Sequence, residues 1–185
     1  MKEKLTVLLV ACATFYSLPM AAEGAEIFTG RAVDTSGQRM QSTAHFTLHI
    51  EEYSSDEEIA DYATVLAEKG SSGLEKVLRK LDLGYIKIGT SLGHVIGVAR
   101  SIDTDGGRII RAVTDRPIQL FEVRRGLRSA DYPFGFIELK IDADGKGEGQ
   151  LVAAAKLRFK DGTLEIVQLG TRPFRLMKVK RQKER

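Results

Sequence analysis

The run Gly89-Thr90-Ser91-Leu92-Gly93 matches the G-x-S-x-G pattern that presents a nucleophilic serine. That chemistry needs a strand, a sharp turn and a helix, with an acid and then a histidine later in the chain. Here Val95, Ile96 and Val98 follow with a strand's alternation, and His94 is the only histidine beyond Ser91. No carboxylate stands between them, so the order serine, acid, histidine cannot be built. The segment reads as a glycine-rich turn. His45 and His49 share one strand face, but four residues of extended chain put them roughly 13 Å apart. Two ligands of one zinc lie far closer, so this pair does not hold a metal. Asp115, Glu122, Asp131 and Glu138 are the carboxylates open to an acid–base hydrolase, and their spacing selects no pair.

Two stretches carry more. Asp142 to Gly149 opens like a calcium loop, with acids at the first and third positions and a glycine at the sixth. Lys146 then stands where an oxygen ligand belongs, and Ala153 replaces the bidentate acid. Two readings follow: a weak calcium site formed by Asp142, Asp144 and Glu148, or a strand connection shaped by acids and glycines. No other cofactor is indicated. Between Arg124 and Phe136 the alternation breaks, and Arg124, Arg125 and Arg128 stand near Tyr132 and Phe134. Guanidinium forks recognise carboxylates and phosphates, so these five residues are the expected rim for a small or anionic ligand. The competing reading has the aromatics closing one end of a barrel while the arginines face water.

At Asp131-Tyr132-Pro133-Phe134-Gly135, at Asp142 to Gly149 and at Thr171-Arg172-Pro173-Phe174-Arg175-Leu176, the chain resembles a group of small exported bacterial proteins of unassigned function. The resemblance implies an exported bacterial domain. It brings no catalytic residue, cofactor or partner.

The opening residues agree with export. Met1-Lys2-Glu3-Lys4 is a basic start, Leu5 to Met20 is apolar, and Ala21, Ala22, Gly24 and Ala25 are small. This layout predicts a signal peptide over residues 1–24 and a periplasmic or secreted protein. A rival reading makes Leu9-Val10-Ala11-Cys12 a lipoprotein box with an acyl anchor on Cys12. The apolar stretch before Cys12 is short for that, and the chain stays apolar beyond it. With Cys12 removed, thiol catalysis, disulfides and cysteine metal sites leave together. No later segment reaches the roughly 18 apolar residues that a membrane helix needs.

Charge adds one point. The chain has 28 basic and 25 acidic residues, a net +3, and its last eleven residues hold six basic residues against one acid. Export argues against a nucleic-acid partner for that tail; it reads first as a frayed, solvated terminus, with adhesion to an anionic envelope surface as the alternative.

The elements that must position these residues follow from periodicity. Ala44, Phe46, Leu48 and Ile50 alternate with polar residues, which marks a half-buried strand. Ser55 to Glu58 and Ser72 to Glu75 are capping boxes, each leading an apolar stripe of helical spacing. Two short helices are expected over 56–69 and 73–82, as a hairpin laid on a sheet. Beyond Gly84, strands are expected near 85–89, 94–102, 107–115, 118–124, 136–142, 149–159, 163–170 and 173–179. The expected fold is α+β, mainly antiparallel β, with about eight to ten strands curled into a barrel or sandwich. One domain over 26–179 would precede a basic tail, 180–185. The expected function is a non-catalytic binding or interaction domain, ahead of a structural envelope component and an exported hydrolase of unrecognised type.

Overall fold

The computed structural model describes residues 24–34, 43–118, 132–160, 163–168 and 173–182. Nine strands and one helical element follow the order β1 (Glu26–Val33), β2 (Thr43–Ile50), α1 (Asp56–Leu78), β3 (Gly84–Ile88), β4 (His94–Thr104), β5 (Gly107–Thr114), β6 (Phe134–Asp142), β7 (Lys146–Lys160), β8 (Thr163–Gln168) and β9 (Phe174–Arg181). All described pairings are antiparallel, and the strand order is β6-β5-β4-β3-β2-β1-β9-β7-β8. A further pairing of β6 with β7 closes eight of these strands into a barrel, leaving β8 as an extra strand on β7.

Alternation decides what fills the barrel. On β2, Phe46, Leu48 and Ile50 point inward while His45, Thr47 and His49 point out. The same phase sends Phe28, Ile86, Ile96, Ile110, Ile137, Leu139, Leu151 and Leu176 into one apolar cluster, none more than 1% exposed. Among the described residues these side chains leave no accessible surface in the middle of the barrel, as close packing requires. Past β5, Ile118 folds across one mouth, its amide bonded to the carbonyl of Ala153 at 2.8 Å. A Cβ at Gly135 would lie 2.6 Å from the Ile118 side chain, so that strand must be bare where the plug enters.

A second apolar cluster lies on the barrel's outside. Leu66, Leu74 and Leu78 of α1 cover Val113, Phe134, Phe136, Val152, Ala155 and Leu157. A register shift in the β6–β7 ladder between Phe134 and Phe136 adds a residue to β7, which keeps Ala155 and Leu157 on the covered side. Burying three leucines stabilises the helix's docking by about 1.5–3 kcal/mol each.

The Ser55–Glu58 capping box forms as the sequence implies, with Ser55 Oγ accepting from the Glu58 amide and Glu58 accepting from the Ser55 amide. The two-helix hairpin is not confirmed: α1 is one element, but Gly70 inside it takes the non-helical angles φ 64° and ψ −170°, so two helical stretches meet at a kink there. Leu66 before the kink and Leu78 after it both belong to the cluster beneath α1. Ser72, expected to cap a second helix, lies inside this element. Residues 119–124 of the expected strand 118–124 lie outside the described residues, and Ile118 belongs to no strand. No described helix is long and apolar enough to cross a membrane.

Helix and barrel approach most closely at Gly97, where an added Cβ would sit 2.8 Å from Leu78 Cβ and 3.1 Å from the Leu78 carbonyl oxygen. Gly97→Val should therefore lift the end of α1 and cost about 1–3 kcal/mol, read from the midpoint of urea unfolding.

Candidate functional site

Three places on this scaffold gather chemistry-bearing side chains. The first is the barrel end where β1 begins. Glu26 keeps phase with Phe28 and Ala32, so its carboxylate points into the barrel and is 1% exposed. Three donors meet it there. Tyr53 donates its hydroxyl to Oε2 at 2.5 Å, while Arg108 Nη2 and Arg181 Nε donate to Oε1 at 2.5 and 2.6 Å. Arg108 is itself in inward phase with Ile110 and Ala112, and its guanidinium lies 5.9 Å from the centre of the Phe28 ring. Both carboxylate oxygens are engaged by charged or hydroxyl donors, a geometry that fixes the side chain in place. This group closes the end opposite Ile118.

The second place is the start of β4 and the end of β5. His94 is 7% exposed and pairs in register with Ile86, so it faces inward. Asp115 lies beside it, with Oδ1 3.8 Å from Arg116 Nε. Burial lowers the His94 pKa from its ordinary 6.5, the Arg116 charge adds to that, and Asp115 opposes it. Burial likewise raises the Asp115 carboxyl above its ordinary 3.8, against the pull of Arg116, Arg79 and His94. Thr114 braces this end, taking the Gly135 amide at 2.8 Å and donating to the Arg116 carbonyl.

The lowered histidine makes stability depend on pH with a definite sign. Below 6.5 the unfolded chain takes up a proton on His94 more readily than the fold does, so stability falls as pH drops through that value. Asp115 acts the other way: its charged form weakens the fold above its raised pKa, and that penalty fades as pH falls toward 3.8. Urea midpoints should decline from about pH 7 to about pH 5.5 in the native protein. His94→Asn should flatten that decline; an unchanged slope would show that His94 does not set it.

The third place is the barrel's outer face on β9, β1, β2 and β3. Their only acid is Glu26, which points inward. Arg31, Lys87 and Lys180 are exposed there, and none of them forms an ion pair among the described residues. His49 stands directly across from Tyr85, ring centres 5.2 Å apart, and 3.8 Å from Glu51 at the border of the face.

The residues singled out by sequence are dispersed. Arg124, Arg125 and Arg128 lie outside the described residues. Tyr132 is half-buried, and Phe134 is 0% exposed in the cluster beneath α1, a packing residue with no surface left for a ligand. Asp142 spends one oxygen on the amides of Asp144 and Lys146, at 2.9 and 2.8 Å, shaping the β6–β7 turn. Asp144 pairs with Lys146 at 3.7 Å and Glu148 with Arg175 at 3.5 Å. Among the described residues, no group of three or more His, Cys, Asp or Glu side chains is placed to hold a metal. Ser91 sits in the β3–β4 turn and its hydroxyl accepts from the Ile88 amide at 3.1 Å, a turn-forming bond. Lys180 and Arg181, expected in a tail, belong to β9.

Compared with known proteins, the chain matches no family model, no curated protein and no solved structure.

Proposed function

We propose that this protein is an exported, non-catalytic binding domain that meets an anionic partner with the outside of its barrel. The observation that carries this reading is that the described residues fill the barrel's interior. Phe28, Leu48, Ile86, Ile110 and Leu139 are 0% exposed, Ile118 lies across one mouth and the Glu26 carboxylate lies in the other. A ligand then has the outer surface to bind, and the part of it free of acids is basic. Thermal melting tests the reading with two probes. Palmitate at about 100 times a micromolar Kd would stabilise a barrel that holds apolar ligands by about 2.7 kcal/mol, and no such shift is expected. Polyacrylate, a featureless polyanion, should raise Tm at low salt and lose that effect near 0.5 M salt, where charges are screened within about 4–5 Å. A palmitate shift without a polyacrylate shift would overturn the proposal.

One observation favours a second reading, a structural envelope component. Among the described residues β8 pairs with β7 along one edge and with no strand along the other, and Ile166 on it is 37% exposed. Such an edge can accept a strand from another chain. Concentration-dependent self-association in sedimentation velocity, abolished by Ile166→Lys, would support this alternative.

A further inference from the structure

Resting on the reading of the barrel as an outward-facing binder of anions, the partner class can be narrowed by the geometry of the basic face. Register places Lys180, Thr29, Thr47 and Lys87 in one continuous row across β9, β1, β2 and β3. Adjacent strands lie about 4.8 Å apart, so the two lysines start roughly 14 Å apart, and Arg31 stands about 7 Å along β1 from the row. A compact anion needs donors converging on one point, and these do not converge.

Curvature removes a second class of partner. A closed ring of eight strands turns through roughly 45° at each strand, so the row wraps through roughly 135°. A flat bilayer touches only part of such a convex band. A flexible chain can follow all of it. Between the cations lie hydroxyl groups, Thr29 and Thr47, rather than further charge. Binding of single-stranded nucleic acid draws on successive aromatic platforms, whereas this face offers two exposed rings, Tyr85, set edge-on to His49, and His45, bonded to the Gly30 carbonyl.

The contrast with the rest of the barrel strengthens the case. On the neighbouring outer face, cations are matched by acids, Arg111 with Glu138 at 2.9 Å and Arg100 with Asp56 at the start of α1, and on β9 itself Arg175 is matched by Glu148 of β7. Among the described residues, Arg31, Lys87 and Lys180 have no such acid, and neither do Lys69, Lys76 and Lys80 on and just after α1.

We infer that the outer face of β9, β1, β2 and β3 binds an acidic polysaccharide running across the strands. Its spaced charges would meet Lys180, Arg31 and Lys87, and its hydroxyls the threonine row. The probe is heparin, titrated into the full chain, in parallel with inorganic phosphate, oligothymidylate and phosphatidylglycerol vesicles. Heparin should bind, with an affinity that falls with salt. The triple variant Arg31→Gln, Lys87→Gln, Lys180→Gln should weaken it by about tenfold or more, a loss of about 1.4 kcal/mol. A control variant, Lys69→Gln, Lys76→Gln, Lys80→Gln on and just after α1, removes the same charge from a different surface and should change affinity less than about twofold. Equal losses in the two variants would overturn the assignment to this face while leaving the protein an anion binder. Tighter binding of oligothymidylate or vesicles than of heparin would overturn the polysaccharide, and binding of phosphate at the face would overturn the extended ligand. Failure of heparin together with a positive polyacrylate melt would sink this inference alone; failure of both would sink the binding-domain reading as well.

Discussion

Arg108→Met is expected to destabilise the fold by about 3–5 kcal/mol, seen as a large fall in the urea midpoint. The reason lies in what the substitution leaves behind. Glu26 stays inside the barrel with its carboxylate 1% exposed, having lost a guanidinium that is itself only 13% exposed. Removing one partner of a buried ion pair strands the other in a medium that solvates charge poorly. Methionine restores much of the lost volume, so the cost reports electrostatics rather than a cavity. Arg181 is a useful contrast. It binds the same oxygen of Glu26, yet half of its side chain is in water. Arg181→Met should therefore cost no more than about 1 kcal/mol, because solvent screens the exposed partner. Similar losses from both arginines would show that the Glu26 end is wetter than its burial implies.

Phe134→Ala is expected to cost about 3–5 kcal/mol, the range for truncating a fully buried aromatic side chain. Phe134 is wrapped by Leu66, Leu74 and Leu78 above and by Ala155 and Leu157 beside it. Deleting the ring opens a void between helix and barrel that neither surface can close without breaking its own hydrogen bonds. Affinity for heparin should be unchanged in whatever fraction remains folded, since the basic face is formed by other strands. A stability loss below about 1 kcal/mol would mean that α1 does not rest on this ring.

The strands were legible because each buries one face against a common interior. Period two in Phe46, Leu48, Ile50 and in Ile137, Leu139, Ile141 reports that burial residue by residue. Phe134 shows where the reading stops. Near a proline and glycines it looked like part of a ligand rim, because its covering partner comes from α1, more than fifty residues earlier in the chain. The break in α1 was legible: Gly70 and the serines after it carry the marks of a stop and a restart, and the non-helical backbone falls at Gly70. Glu26 left a signal that went unused. An acid in phase with Phe28 and Ala32, and an arginine in phase with Ile110 and Ala112, are charges on inward faces that demand partners. The sequence left barrel and sandwich both open, since the choice rests on the β6–β7 and β1–β9 pairings, the latter bringing together segments far apart in the sequence.

That seam between β1 and β9 governs how the molecule can be made. The first strand finds its second neighbour only when residues 174–181, far along the chain, have emerged. Until then a growing chain carries two raw sheet borders, one on β1 and one on β7, each able to capture a stray strand. Truncation before β9 would leave both of those borders open and deprive Glu26 of one of its donors, so the last strand is what closes the circle.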